Sequence, residues 1–205
     1  IEKPTTCFVF GKAGSGKTSL RLMVENHATK AGCFSVIITD FSLLRGIQDN
    51  PIETIVDFLI KAAVISFYNG LDQQESVTML ADVSTKDRSL FLTYCDNYRS
   101  VDININRLEK LLDSNQGTPY FPSNHIERLI EFSDLLRGIF GYKCIYFLID
   151  PNMVYFQKNR TALWKIINPL ISSPSLNEAA GYKIAFKYFL DIEFKNELLK
   201  VSWVE

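Results

Sequence analysis

The stretch that decides the fold is FVFGKAGSGKTSL, residues 8–20, in which an apolar run passes into three glycines, a lysine and a threonine. Gly11, Gly16, Lys17 and Thr18 match the pattern GxxxxGK[ST]. Glycines let the backbone turn tightly and point successive N–H groups at one anion. A helix that follows such a loop adds its N-terminal N–H groups and the positive end of its dipole. The motif predicts a phosphate-binding loop between a buried strand and a helix.

The side chains of the motif extend this prediction to a nucleotide triphosphate with Mg²⁺. Lys17 would reach the β- and γ-phosphates, and Thr18 would offer its hydroxyl to the metal ion. The loop residues expected to contact the nucleotide are Gly11, Lys12, Ala13, Gly14, Ser15, Gly16, Lys17, Thr18 and Ser19.

A second metal-binding group is expected at the end of another buried strand, where an Asp usually helps to hold Mg²⁺. Asp150 ends the apolar run CIYFLID and is the first candidate. Asp40 follows the run VIIT and is the second. We therefore predict that Thr18 and Asp150 together bind the metal.

Short apolar runs alternate with helical patterns along the chain. Strands are predicted at 5–10, 33–39, 143–150 and 182–190, and LLKVSWV (198–204) is a candidate fifth strand. The helix after the loop, 17–30, would bury Leu20, Leu22, Met23 and Val24 and stop at Gly32. This alternation predicts an α/β fold with a mainly parallel sheet and helices on both faces.

We interpret residues 1–205 as a single domain, because no linker-like stretch divides the chain. The weakly patterned stretch 71–122 is predicted to be a helical insertion. The chain begins at Ile1 without Met and ends at VSWVE, so we expect it to be a piece of a longer protein.

The net charge and the distribution of charged residues argue against nucleic acid and membranes as partners of the chain. The net charge is −1, so no basic field favours nucleic acid or an anionic membrane surface. The longest apolar stretch, 52–68, contains Glu53, Asp57 and Lys61, which favours a buried helix over a membrane span.

The cysteine pattern favours a reducing compartment. The four cysteines, Cys7, Cys33, Cys95 and Cys144, include no CxxC pair. We interpret them as buried free thiols. No signal peptide is recognisable at the start, and the expected location is the cytoplasm.

Two enzyme classes can be weighed against these motifs. A GTPase would show Asn-Lys-x-Asp on a late strand and DxxG after the metal strand, but Asp150 is followed by Pro151, Asn152 and Met153. A small-molecule kinase could use Asp40 as its base. Its arginine-rich lid is poorly supported, because 71–122 holds only Arg88, Arg99 and Arg107.

The chain resembles the additional-strand P-loop ATPases and, within them, the STAND class of AAA-related signalling ATPases. The resemblance covers most of the chain. It is carried by FVFGKAGSGKTSLRLM (8–23), SVIITDF (35–41), IYFLID (145–150) and the block INPLISSPSL…GYKIAFKYFL (167–190).

The resemblance implies a three-layer P-loop fold with a five-stranded sheet in the order 5-1-4-3-2. It implies that Lys187 or Tyr188, on the fourth strand, faces the γ-phosphate as a sensor. It also implies an ATP-driven regulatory switch that works with other domains of the same chain, and with self-association.

One departure from the family bears on hydrolysis. Such ATPases usually carry acidic residues directly after the metal-binding Asp, whereas no Asp or Glu lies between Asp150 and Glu178. Asn152 could orient a water molecule but cannot take its proton as a carboxylate would. We expect Mg-ATP binding with weak or absent hydrolysis, unless a partner supplies a missing group such as an arginine finger. The other alternative is a degenerate scaffold that no longer uses the nucleotide.

Overall fold

The structure, a computed structural model of the chain, describes residues 5–41, 44, 51–70, 73–98, 122–151, 160–173, 176, 181 and 183–199. Its strands are β1 (Cys7–Gly11), β2 (Phe34–Ile38), β3 (Ile145–Ile149) and β4 (Ile184–Asp191). Its α-helices are α1 (Lys17–Lys30), α2 (Pro51–Gly70), α3 (Gln73–Asp82), α4 (Thr85–Tyr98), α5 (His125–Phe140), α6 (Arg160–Ser172) and α7 (Lys195–Leu198). A 3₁₀ turn, Ile192–Phe194, leads into α7.

The four strands form one parallel sheet in the order β1-β4-β3-β2. This agrees with the expected α/β class and with the expected order of these four strands. The register places Gly11 beside Asp191 and Ile149 beside Tyr188, so β1 and β4 extend three residues beyond the end of β3. Because all strands run the same way, the loops that follow β1 and β3 leave from one edge of the sheet.

The prediction of a fifth strand at 198–204 is wrong where it can be compared. Leu198 ends the helix α7, and Leu199 lies in the turn that follows it. The last residues, 200–205, lie outside the described residues. The start of this segment is helical because Leu198 packs into the core from a helix that begins directly after Phe194.

The two faces of the sheet are covered by different helices. Alternate strand residues, among them Val36, Phe147 and Phe186, point into the main core together with side chains of α2, α4, α5 and α6. On the other face Ala28 of α1 packs against Cys33 and Cys144. The strand residues Leu148, Ala185 and Phe189, which alternate with the main-core positions, are also buried, which is why the runs predicted as β3 and β4 lack regular polar alternation.

The expected apolar side of α1 is a second correction. Leu20, Leu22 and Met23 are exposed, and Met23 is 67% accessible. The buried residues of this helix are Arg21 and Ala28, seven positions apart and therefore on one helix face. The first turns of α1 lie beside a polar cavity rather than the core, so a charged residue is buried there.

Part of the predicted insertion belongs to the main core. In the stretch 71–122 the structure describes α3 and α4, and α4 buries Leu90, Phe91 and Tyr94 in the same cluster as α2 and α5. Residues 99–121 lie outside the described residues. None of the described helices combines the length and apolar composition that a membrane crossing needs.

The cysteines differ from the expectation at one position. Cys33, Cys95 and Cys144 are buried, but Cys7 is exposed, because it is the first residue of β1 at the edge of the described sheet. Burial raises the pKa of the Cys95 and Cys144 thiols to about 12. For Cys144 the nearby Cys33, whose sulfur lies 3.2 Å away, acts in the same direction.

This difference predicts selective labelling of the thiols. The thiolate is the reactive form, so a raised pKa and burial both slow reaction with a thiol reagent near neutral pH. We expect one fast-reacting thiol in the folded protein and four after unfolding in urea. Reagent consumption followed by absorbance measures this. Cys7→Ser should remove the fast phase, and a fast phase that persists in this variant would contradict the assignment.

Candidate nucleotide-binding site

The loop between β1 and α1 has the backbone shape that a phosphate site requires. Gly14 and Gly16 adopt left-handed conformations, with φ of 76° and 85°, which residues with a Cβ rarely adopt. The Ser15 N–H donates to the Lys12 carbonyl at 3.1 Å and closes a tight turn. Helix α1 has no side-chain cap at Gly16, so the N–H groups of its first turn point toward the loop without intrahelical partners. This arrangement suits an anion.

Gly11 is required by a close approach within the loop. A Cβ placed on Gly11 would lie 2.2 Å from Ser15 Oγ and 3.3 Å from Lys17 Cγ. The loop therefore folds back so closely over the end of β1 that the Cα of residue 11 can carry hydrogen atoms but no side chain.

Lys17 brings its charge into the loop. Its Nζ donates to the carbonyl oxygens of Gly11, at 2.7 Å, and Lys12, at 2.9 Å. The ammonium group thus lies across the loop whose N–H groups would surround a phosphate. A point charge there balances the negative charge of a polyphosphate.

Thr18 and Asp150 meet although 132 positions separate them in the sequence. The Thr18 hydroxyl donates to Asp150 Oδ2 at 3.2 Å. Asp150 directly follows β3, and its N–H donates to the Ile38 carbonyl at 2.9 Å, which fixes it at the carboxyl edge of the sheet. The side chain is nearly buried, with Asp150 9% exposed.

These two oxygen groups fit a magnesium ion. Mg²⁺ prefers oxygen donors and usually keeps several waters, bound by one or two carboxylates together with phosphates. Among the described residues no group of three or more His, Cys, Asp or Glu side chains could hold a metal by itself. A hydroxyl and a single carboxylate beside a phosphate loop therefore suit an ion that arrives with a nucleotide.

The loop and Asp150 border one open cavity of about 670 Å³. This volume lies in the range of small-molecule sites. In the described chain its lining residues are Ala13, Gly14, Gly16, Lys17, Thr18, Ser19, Arg21, Thr39, Asp150 and Pro151. Six of the nine predicted loop residues and the predicted metal-binding Asp thus line one cavity, whereas Gly11, Lys12 and Ser15 are not among its lining residues.

Several predicted site residues are not brought to this cavity. Asp40 is exposed just after β2, and its neighbour Thr39 lines the cavity instead. Tyr188 is buried in the core and stacks on Phe8. Asn152 lies outside the described residues.

Lys187 lies in the middle of β4 and is not among the described residues that line the cavity. It pairs with Cys7, four residues before Gly11 on β1, a separation of about 13 Å along a strand. Its Nζ donates to the Thr5 carbonyl and lies 5.1 Å from the centre of the Tyr146 ring. The polar residue at the carboxyl end of β4 is Asp191, because the strand continues for four residues beyond Lys187.

Arg21, Thr39 and Pro151 line the cavity without having been predicted from the sequence, and of these Arg21 contacts Asp150 directly. Arg21 is buried at the cavity wall, and its Nε donates to Asp150 Oδ2 at 3.1 Å. The signal was available in helical spacing, since Arg21 follows Lys17 by four positions and Thr18 by three. Its sequence neighbours Leu20, Leu22 and Met23 are apolar, and they led to the prediction that α1 buries a hydrophobic face here.

No protein-family model and no curated protein sequence matches the chain.

Proposed function

We propose that the chain is the ATP-binding domain of a regulatory switch of the STAND type, which binds Mg-ATP and hydrolyses it weakly or not at all. The observation that carries this proposal is the convergence of Lys17, Thr18 and Asp150 on one cavity beside a loop with left-handed glycines. The parallel sheet order supports a P-loop fold, in which phosphates bind at the carboxyl edge of the strands.

Each group has a distinct part in this proposal. The N–H groups of residues 13–19 surround the phosphates, and Lys17 neutralises their charge. Thr18 and Asp150 hold Mg²⁺, which when bound bridges phosphate oxygens and offsets their negative charge.

Weak hydrolysis is proposed because the described cavity holds no free carboxylate. Among the described residues that line it, Asp150 is the only acidic one, and its Oδ2 already accepts from Thr18 and Arg21. A water molecule attacking the γ-phosphate needs a group that orients it or takes its proton. Without such a group the domain would hold ATP rather than turn it over.

A domain that holds ATP acts by presenting a different surface in its two nucleotide states. We propose other domains of the same chain and further copies of it as partners. Exposed apolar side chains on α1, Leu20 and Met23, lie close to the loop and support contact with such a partner. The kinase alternative has less support, because Asp40 does not line the described cavity.

The test is retention of trace radiolabelled ATP by excess protein, with ADP formation followed in the same samples. We expect retention with little ADP from the native chain. We expect Lys17→Ala to retain at least about tenfold less, because loss of a charged hydrogen-bonding group costs about 1.5–3 kcal/mol.

Lys30→Ala is the matched control, since Lys30 is exposed at the other end of the same helix. It should retain ATP as the native chain does. Equal retention by native chain and Lys17→Ala would contradict the proposed site. Rapid ADP formation would contradict the proposed lack of a hydrolytic group.

A further inference from the structure

Arg21 occupies an unusual position for a charged side chain. It lies one helical turn after Lys17 and is 8% exposed, at the wall of the cavity that contains Asp150. A buried guanidinium is costly unless it is paired and hydrogen-bonded. Its placement therefore depends on its partners.

Those partners are two carboxylates. Arg21 Nε donates to Asp150 Oδ2 at 3.1 Å, and Arg21 Nη1 donates to Glu25 Oε2 at 3.3 Å. The pair with Asp150 is shielded from solvent on both sides, so the surrounding water weakens it little.

The carboxylate that Arg21 contacts also belongs to the proposed metal site. Asp150 Oδ2 accepts from both Arg21 Nε and the Thr18 hydroxyl. A divalent cation held by Thr18 and Asp150, directly or through water, would share this carboxylate with Arg21. It would also lie close to a fixed positive charge, which repels it.

From this geometry we infer that Arg21 competes with a divalent cation for Asp150. The inference deepens the proposed function, on which its significance for nucleotide binding rests. Arg21 supplies a permanent positive charge beside the carboxylate that would help to hold Mg²⁺. The native chain then binds free divalent cations weakly, and Mg²⁺ enters the site chiefly together with the nucleotide.

The direct test measures binding of Mn²⁺ alone, from the electron paramagnetic resonance signal of the free ion. We expect Arg21→Gln, which removes the charge and keeps a polar side chain, to bind Mn²⁺ roughly 10- to 100-fold more tightly than the native chain. Arg21→Lys keeps the charge and should bind Mn²⁺ as weakly as the native chain. The double variant Arg21→Gln/Asp150→Asn should lose the gain.

Three results would overturn the inference. They are equal affinity of Arg21→Gln and the native chain, a gain that survives in the double variant, and a gain shown equally by Arg21→Lys. Urea unfolding of each variant identifies any that does not fold, and Arg21→Lys with the double variant keeps the comparison decisive.

A second arm separates this inference from the proposed function. ATP retention is measured with Mg²⁺ and with a chelator. We expect the native chain to retain several-fold less ATP in chelator and Arg21→Gln to lose about tenfold more than that, because the variant lacks the fixed positive charge beside Asp150. Absence of ATP retention in every variant and condition would refute the proposed function, while the Mn²⁺ titrations would still decide the role of Arg21.

Discussion

Replacing Phe67 by alanine is expected to lower the free energy of unfolding by about 3–5 kcal/mol. Phe67 is 1% exposed and lies at the centre of the aromatic part of the core. Its ring packs against three other aromatic rings. The distances between ring centres are 6.4 Å to Phe34 on β2, 5.1 Å to Phe91 on α4 and 4.6 Å to Phe140 on α5. Truncation therefore removes contacts to three elements at once and leaves a cavity that none of them can close alone.

Urea unfolding followed by circular dichroism measures this loss. A loss of this size is a large fraction of the 5–15 kcal/mol that stabilises a typical domain. Phe67→Leu keeps most of the volume and should cost less than half as much. A single unfolding transition, shifted as a whole, would show that α4 unfolds together with the sheet. A loss below about 1 kcal/mol for Phe67→Ala would contradict the described packing.

Replacing Gly11 by alanine is expected to weaken ATP binding by roughly 10- to 100-fold, which corresponds to about 1–3 kcal/mol of overpacking in the loop. The new methyl group would lie 2.2 Å from Ser15 Oγ and 3.3 Å from Lys17 Cγ. Ser15 can rotate, but Lys17 must also shift, and the loop N–H groups shift with it. ATP retention measures the effect.

A rescue and a control make this result specific. The double variant Gly11→Ala/Ser15→Gly removes the hydroxyl and its Cβ and should recover part of the binding. Gly138→Ala changes a glycine in α5 whose added Cβ meets nothing within 4 Å. It should leave ATP retention unchanged and stabilise the helix by about 0.5–1 kcal/mol. Equal retention by Gly11→Ala and the native chain would show that the close approach is unimportant.

Local chemistry explains which elements could be predicted from the sequence. Asn124, with Glu127 three residues later, matches the sequence pattern of a helix N-cap, and its side chain accepts from the N–H groups of Ile126 and Glu127. Gly32 was expected to stop α1, and it has a φ of 76° just after the helix. In such cases one side chain, or the lack of one, decides the backbone conformation.

Elements decided by distant packing were predicted less well. The sequence pattern predicts a helix over 158–168, just before Pro169, whereas helix α6 continues through Pro169 to Ser172. Pro169 weakens the helix locally, yet Leu170 and Ile171 are each 1% exposed in the core. Burial of these two side chains outweighs the local preference, and only the folded neighbours reveal it.

The residues of the candidate site also include some that local sequence patterns predict and others that only the fold reveals. The loop and Asp150 could be predicted because a motif and a strand end place them. Lys187 was misplaced because the sequence alone does not show how far β4 continues or which of its residues lies beside Gly11. The pairing of Arg21 with Asp150 joins two parts of the chain, so no local pattern could reveal it.

The pairing of β1 with β4 has a consequence for the order of events during synthesis. β1 is the first strand to leave the ribosome, but its neighbour in the described sheet is the last strand to be made. The ribosome adds roughly 5–20 residues per second, and domains fold as the chain emerges. Strands β2 and β3 can pair before β4 has been made, whereas β1 pairs with β4 in the described sheet and must remain without that partner until then. The glycine-rich loop therefore gains its neighbouring strand only after β4 has been made, so that ATP would be captured by chains that already include β4 and not by shorter nascent ones.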